Sequence, residues 1–302
     1  MRRFCLASLA CLLCLVPVRA QTPEMQAKVN AALYVKRLQT PDGGFVNEAP
    51  DPKSNRIPKA SLRATSSAIR ALKYLGGELP NADKCKKFVA SCFDKQSGGF
   101  ADMPGGTPDV FATAVGLMAV VELGLPAEPY HAAATKYLSE NAKTFDDIRI
   151  AAAGFEAIKA KPTMKDEWLK VVQAVRLPEP GEDNDNGRAR MGASKAVTLL
   201  RLGLTLDKDM TAKAIASLQR QQRPNGGYGK DNTSKSDLES TYRVMRFFVM
   251  TAEKPASVAN LRNFIDKCRN EDGGYGVAPG QTSSISGTYY AAIIQYWLDG
   301  KK

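Results

Sequence analysis

Apolar residues recur every three or four positions along most of the chain, as they do on one face of an α-helix. The clearest runs cover residues 62–75, 109–123 and 238–250. No stretch keeps the strict alternation of apolar and polar residues that marks a half-buried strand. The pattern therefore predicts an all-α protein with essentially no sheet.

Pairs of glycines followed by an aromatic residue punctuate this helical pattern four times. The four segments are Asp42-Gly43-Gly44-Phe45, Ser97-Gly98-Gly99-Phe100, Asn225-Gly226-Gly227-Tyr228 and Asp272-Gly273-Gly274-Tyr275. Paired glycines permit the positive φ angle of a tight turn. The first glycines are 55, 128 and 47 residues apart, so the middle spacing has room for two further units without the motif. We predict six units, each an amphipathic helix, a turn and a more apolar helix.

The two units without a glycine pair follow the same layout. The third unit is predicted to pair a helix at 130–141 with one at 146–159. The fourth is predicted to pair 166–175 with 188–202 across the acidic loop 179–187.

Residues at the predicted helix ends fit this division into units. Candidate N-caps are Ser61, Asp109, Ser236 and Ser284, and candidate C-terminal glycines are Gly76, Gly124 and Gly203. One hairpin cannot bury its own apolar face, so the units must stack. The second helix of each unit is apolar nearly all round, which favours an inner wall packed on both sides. We therefore predict an α/α toroid of six helical hairpins, an α6/α6 barrel.

The first twenty residues have the pattern of a cleavable secretory signal peptide. Arg2 and Arg3 precede an apolar run at 4–16, and small residues lie before position 21. The run is shorter than the about 20 apolar residues that a membrane-spanning helix needs. We expect one toroid domain at 21–302, secreted or periplasmic, with no transmembrane segment.

The chain has 42 basic and 31 acidic residues and a formal net charge of +11. Loss of three arginines with residues 1–20 would leave +8. An excess of this size suits a solvated basic surface or an anionic ligand. Nucleic acid is not an expected partner, because no basic stretch is interleaved with aromatic residues.

Three cysteines remain beyond residue 20, and all three are expected to be free thiols. Cys85 and Cys92 are seven positions apart on one predicted helix, which separates their Cα atoms by about 10.5 Å. A disulfide needs roughly 4.4–6.8 Å. Cys268 belongs to a different unit of the predicted ring.

The glycine turns resemble the repeats of squalene and oxidosqualene cyclases and of protein prenyltransferase β subunits. The segments that carry the resemblance are Gly98-Gly99-Phe100 with Asp109-Val110-Phe111-Ala112-Thr113, Gly273-Gly274-Tyr275 with Thr288-Tyr289-Tyr290, and Asp147-Ile148-Arg149. The resemblance covers nearly the whole chain after residue 20. It implies a toroid whose central cavity binds an isoprenoid diphosphate.

The zinc ligands that the resemblance implies are only partly present. In prenyltransferases, Asp-x-Cys on the fifth inner helix and a His on the sixth hold the metal. Here the first segment is Asp237-Leu238-Glu239, Gly287 stands at the His position, and the chain's one histidine, His131, lies on a predicted outer helix. Asp237 and Glu239 could instead hold a harder ion through oxygens, or cap the helix and favour its dipole. We expect no metal, no cofactor and no zinc-dependent cysteine prenylation.

The acid motif of the cyclases is also incomplete. Its nearest match, Asp183-Asn184-Asp185-Asn186, lacks the last Asp and lies in a predicted loop. Whether the protein is an enzyme therefore stays open at this point.

Charged and aromatic residues on the predicted inner helices form the candidate ligand site. They are Arg63, Asp109, Asp147, Arg149, Arg188, Arg190, Asp237, Glu239, Tyr242, Arg243, Arg246, Tyr289 and Tyr290. The arginines suit a diphosphate or carboxylate, or else form a salt-bridge network with the acids. The tyrosines suit an isoprenoid, or simply pack between helices. Three functions remain: a binder of an isoprenoid-like, lipophilic or anionic small molecule, an enzyme of the prenyltransferase or cyclase type with altered chemistry, and a scaffold for an unknown protein partner.

Overall fold

The computed structural model describes residues 22–51, 53, 57–178 and 185–301. The described residues form α1 (Pro23–Arg37), α2 (Leu62–Leu75), α3 (Ala82–Ser91), α4 (Val110–Glu122), α5 (Tyr130–Asn141), α6 (Phe145–Ala157), α7 (Lys165–Ala174), α8 (Asp185–Arg201), α9 (Lys208–Arg220), α10 (Leu238–Met250), α11 (Val258–Lys267) and α12 (Ile285–Leu298). Two short strands, β1 (Tyr228–Gly229) and β2 (Ser236–Asp237), pair antiparallel. The all-α prediction is confirmed. The predicted signal peptide and residues 179–184 of the acidic loop lie outside the described residues.

The even-numbered helices form a closed inner ring, and the odd-numbered helices pack around it. Each inner helix packs on the next, and α12 packs on α2 to close the ring. Asn47 reinforces the closure, because its carbonyl oxygen accepts a hydrogen bond from the Ile285 amide at 2.7 Å. Its side-chain oxygen accepts another from the Ser286 hydroxyl at 2.9 Å. The predicted toroid of six hairpins is confirmed. None of the helices in the described ranges is long and apolar enough to span a bilayer.

One predicted helix cap needs correction. The N-cap of α10 is Asp237, whose side chain accepts a hydrogen bond from the Ser240 amide at 2.7 Å. Ser236, the predicted cap, lies one residue earlier in β2 and pairs with Gly229. The carboxylate of Asp237 can reach the free amide of the first helical turn, so it takes the capping role.

Each glycine turn is tied to the inner helix that follows it. The amide of the turn aromatic donates to a threonine hydroxyl in the first turn of that helix, in the pairs Phe45–Thr65, Phe100–Thr113, Tyr228–Thr241 and Tyr275–Thr288. Each threonine hydroxyl donates in turn to the carbonyl of the N-cap residue four positions earlier. The tie satisfies a buried amide and sets the position at which each helix enters the inner wall.

Candidate functional site

The inner helices enclose a central cavity of about 770 Å³. Its apolar lining comes from α4, α6 and α8 and consists of Phe111, Val115, Met118, Val121, Ile150, Ala153, Ala157 and Val197. The lining from α2, α10 and α12 is mostly cationic and aromatic and includes Arg70, Tyr74, Tyr242, Arg243, Arg246, Tyr289 and Tyr290. Most of the apolar lining therefore comes from α4, α6 and α8, although α6 and α8 also contribute Arg149, Glu156 and Arg201.

Basic side chains outnumber acidic ones in the cavity wall. The bases are Arg63, Arg70, Lys73, Arg149, Arg201, Arg243 and Arg246, and the acids are Asp102, Glu122, Glu156 and Glu239. Seven positive charges against four negative ones leave an excess of three. This excess of positive charge attracts an anion to the cavity.

Glu156 holds two of these arginines at once. Its carboxylate lies 3.0 Å from Arg201 and 2.8 Å from Arg246, which come from two other inner helices. Burial raises the pKa of Glu156, but the two guanidinium groups outweigh it and the net pKa is lowered. The buried Nε of Arg246 still has no hydrogen-bond acceptor. The Glu156 carboxylate thus pairs with two guanidinium groups, and the Nε–H group of Arg246 has no acceptor.

Glu239 acts in the same way toward the other end of the cavity. It lies 3.3 Å from Arg190 and 2.5 Å from Arg243. Arg149 lies beside this group and pairs with the exposed Asp146 at 3.1 Å. Burial and the nearby charge of Arg243 lower the pKa of Arg149, so positive charge is crowded here.

Arg70 is the cavity cation without an acidic partner. Its guanidinium carbon lies over the ring of Tyr289, 4.7 Å from the centroid, and its Nη1 is 3.5 Å from the sulfur of Met118. Its electrostatic neighbours are the hydroxyls of Tyr74, Tyr242 and Tyr289, and among the described residues no carboxylate pairs with it. Because a guanidinium keeps its charge in proteins, Arg70 presents an unneutralised cation to the cavity.

Aromatic rings pack around Tyr242 beside these arginines. Tyr242 stacks on Trp297 at 5.5 Å with an interplanar angle of 16°, and the ring of Tyr290 lies 5.2 Å away. Tyr289 lies 6.0 Å from Tyr242 and continues the cluster toward Tyr74. These contacts hold the Tyr242 ring in the cavity wall that also carries Arg70, Arg243 and Arg246.

The sequence as a whole matches one family model, the prenyltransferase α/α toroid domain, over residues 1–82, 68–133 and 136–301. The chain belongs to this family. No curated protein sequence gives a significant match.

Several solved structures share the toroid fold at low sequence identity. Protein geranylgeranyltransferase-I of Candida albicans, solved with geranylgeranyl diphosphate, has a TM-score of 0.61 and 12% identity over 78% of this chain and 84% of that chain. A type II terpene cyclase variant of Scytonema, solved with geranylgeranyl dihydroxybenzoate, has a TM-score of 0.58 and 12% identity over 91% of this chain and 97% of that chain. A wild-type glycosidase has a TM-score of 0.62 and 13% identity over the same shares. These likenesses establish the fold alone, because one toroid hosts several chemistries.

Eight of the thirteen candidate residues line the cavity. They are Arg63, Arg149, Glu239, Tyr242, Arg243, Arg246, Tyr289 and Tyr290. Arg63 lies at the rim, exposed, between Asp102 and Asp109 and over the ring of Phe111. The arginines form salt bridges with carboxylates, and Glu156 and Glu239 each pair with two of them. The acids do not neutralise all of the arginines, so the cavity wall keeps an excess of positive charge.

The other five candidates do not line the cavity, because local contacts hold them elsewhere. Asp109 and Asp237 are N-caps, and Asp147 completes a capping box at the start of α6. Arg188 donates to the carbonyl oxygen of Pro178 at 2.6 Å, and Arg190 is held by its bridge to Glu239.

Sequence reasoning missed several cavity residues. Arg70 and Tyr74 follow Arg63 by 7 and 11 positions, so they continue its helix face. Extending that stripe would have found both. Glu156 and Arg201 lie at helix C-termini, where a charged residue ordinarily faces solvent, and no sequence signal marks them.

The residues at the expected zinc position do not fit a prenyltransferase metal site. Asp237 is engaged as a helix cap, and Glu239 is held by two arginines. A Cβ atom at Gly287 would clash with the carbonyl oxygen of Tyr275, so no histidine side chain can be placed there without a backbone shift. His131 is half-buried on the outer helix α5, away from this position. The described residues contain no group of three or more His, Cys, Asp or Glu side chains arranged to hold a metal.

Proposed function

We propose that this toroid is an exported protein whose central cavity binds an amphiphilic anion. The ligand is a lipophilic chain, such as an isoprenoid, that ends in a phosphate, carboxylate or similar anionic group. Arg70 supports the proposal most strongly, because a partly buried cation without a counter-charge is costly unless an anion joins it. The unused Nε donor of Arg246 offers a second contact for the same group.

The two sides of the cavity suit the two parts of such a ligand. The apolar side chains of α4, α6 and α8 offer surface for the chain, and burying the chain against them contributes about 25 cal/mol per Å². The volume of about 770 Å³ lies within the range of small-molecule sites, roughly 300–1,000 Å³. The cationic side then holds the head group through charge-assisted hydrogen bonds.

The solved relatives agree with a lipophilic chain. The Candida albicans enzyme was solved with geranylgeranyl diphosphate and the Scytonema cyclase with geranylgeranyl dihydroxybenzoate. Since the zinc position is filled by a cap, an ion pair and a glycine, the proposal does not include zinc-dependent cysteine prenylation.

Isothermal titration calorimetry with four probes tests the proposal. The probes are farnesyl diphosphate, decane-1-sulfonate, farnesol and inorganic diphosphate. The first two carry both an apolar chain and an anion, and we expect each to bind with one site per chain. Farnesol and diphosphate each lack one part and should bind at least about tenfold more weakly. Equal binding of farnesol and farnesyl diphosphate, or no binding of either anionic amphiphile, would contradict the proposal.

Export is tested separately, by fractionating cells that express the full chain and sequencing the N-terminus of the product. We expect a product outside the cytoplasm that begins near Gln21. A cytoplasmic product that keeps Met1 would overturn this part.

A further inference from the structure

We propose that the cavity takes up a proton together with its anion, and that the proton goes to the hydroxyl of Tyr242. The inference rests on the proposed function, because it concerns what happens when an anion enters the cavity. The new element is the role of Tyr242 in proton exchange, which the binding proposal does not include.

The position of Tyr242 carries the argument. Trp297 and Tyr290 both pack against its ring, with centroids 5.5 and 5.2 Å away, and these contacts restrict the position of its hydroxyl. Arg70 of α2, Arg201 of α8 and Arg246 of α10 line the same cavity as Tyr242. The guanidinium carbon of Arg246 lies 5.6 Å from the ring centroid of Trp297, the ring on which Tyr242 stacks. Three guanidinium groups from three different helices thus share one cavity with this phenol.

The other charged groups near Tyr242 do not cancel this positive field. The charged and titratable groups that face it are Arg70 and Tyr74 of α2, Arg149 and Glu156 of α6, Arg201 of α8, Glu239, Arg243 and Arg246 of α10, and Tyr289 and Tyr290 of α12. Two acids face five arginines. Lys73 of α2 and Glu122 of α4 also line the cavity, where they pair with each other at 2.7 Å.

The field changes the ionisation of the phenol. Burial raises the pKa of Tyr242, but Arg70, Arg246 and Arg201 outweigh it and lower the pKa to about 8. The neighbouring Tyr290 behaves in the opposite way, since burial raises its pKa above the ordinary value of 10.0. Above pH 8 the Tyr242 phenolate therefore supplies part of the negative charge that the arginines lack.

An anionic ligand competes with that phenolate for the same arginines. Once the anion lies beside Arg70, the potential that lowered the pKa of Tyr242 is partly neutralised, and its pKa rises. The phenolate oxygen then accepts a proton from solvent and becomes the neutral phenol. Below pH 8 the phenol is protonated before and after binding, so no proton is exchanged. Above pH 8 binding takes up close to one proton, and the affinity falls by up to about tenfold per pH unit.

Calorimetry with decane-1-sulfonate tests this linkage, because a sulfonate does not titrate in the range used. The titration is made at pH 6.5 and pH 9, each in two buffers of different ionisation enthalpy. We expect heats that are independent of the buffer at pH 6.5. At pH 9 they should differ by an amount that corresponds to uptake of nearly one proton. Binding at pH 9 with buffer-independent heats would overturn the inference and leave the proposed function standing, whereas no binding at either pH would overturn both.

Two matched variants assign the proton. Tyr242→Phe keeps the ring on Trp297 and should abolish proton uptake at pH 9. Tyr290→Phe removes a neighbouring hydroxyl that stays protonated in this range, and should leave the uptake unchanged. The same uptake in Tyr242→Phe as in the unmodified protein would overturn the assignment.

The unmodified protein gives a second readout that needs no variant. Its tyrosinate absorbance at 295 nm should show one phenol ionising near pH 8. Saturating decane-1-sulfonate should move that transition to higher pH. A transition that stays in place when the ligand is bound would overturn the inference.

Discussion

Gly274 of the last glycine turn lies directly against the ring of Tyr34 on the first helix, where a Cβ atom would come within 2.8 Å of a ring carbon. The earlier turns meet the next outer helix in the same way, in the pairs Gly44–Phe88, Gly99–Tyr137 and Gly227–Phe264. The last hairpin thus meets the first through the contact that joins the other glycine-turn hairpins to their successors. The ring is therefore closed by the same glycine–aromatic contact that joins successive repeats.

Gly274→Ala should weaken the closure. The added methyl group has to displace the Tyr34 ring and the Ser283 side chain, and we expect a loss of about 1–3 kcal/mol in the free energy of unfolding, measured by urea denaturation. Gly192→Ala in α8 is the control, since the nearest atom to its Cβ is 3.6 Å away. That change should be neutral or stabilise by up to about 1 kcal/mol. Equal losses in the two variants would contradict the account.

Thr113→Val tests the tie between a turn and its inner helix. Thr113 accepts a hydrogen bond from the buried Phe100 amide at 2.9 Å, and its loss should cost about 1–3 kcal/mol of unfolding free energy. Thr211→Val is the matched control, because the Thr211 hydroxyl donates to the Asp207 carbonyl in the same manner but serves no turn amide. We expect a clearly smaller loss there. Indistinguishable urea midpoints would show that the tie does not stabilise the fold.

The sequence was sufficient for the fold because the repeat is encoded locally. The glycine pairs mark four units, and helical periodicity alone placed α5, whose bounds Tyr130–Asn141 are those predicted. Ring closure followed from the apolar second helices. The position of each helix end was less accessible, as the cap at Asp237 rather than Ser236 shows.

The cavity could be predicted only in part. Asp109 and Asp147 were candidates because an acid near a helix start looks the same in sequence whether it caps the helix or faces a ligand. Arg70 could have been found by extending the helix face that carries Arg63. Arg201 could not, because a charged residue at a helix C-terminus ordinarily faces solvent, and packing against the neighbouring helices, which the local pattern does not contain, turns it toward the cavity.

The three thiols should react only when the protein unfolds. Cys85, Cys92 and Cys268 are free and buried, and burial raises the pKa of each to about 12. At pH 8 the native protein, cleaved after residue 20, should react negligibly with a thiol reagent within minutes. The unfolded, unreduced protein should titrate three thiols. A count of one would mean that a disulfide had formed.

The purified protein should carry no stoichiometric zinc and should not prenylate a cysteine peptide. Without thiolate–metal coordination, an acceptor thiol stays mostly protonated at neutral pH, since its ordinary pKa is about 8.5. Elemental analysis measures the zinc content, and an assay with farnesyl diphosphate and a cysteine peptide measures prenylation. One equivalent of zinc whose removal by a chelator abolishes prenylation would show that the metal site lies elsewhere in the chain.

Replacement of Arg70 tests most directly whether the cavity binds an anion. Arg70→Met removes the cavity cation that has no carboxylate partner among the described residues, and it keeps a side chain of similar length. Lys136→Gln on the exposed face of α5 removes the same charge from the outer surface. Calorimetry should show that Arg70→Met binds farnesyl diphosphate roughly ten- to a hundredfold more weakly, as expected when a hydrogen bond to a charged group is lost. Lys136→Gln should bind like the unmodified protein. Undiminished binding by folded Arg70→Met would contradict the account.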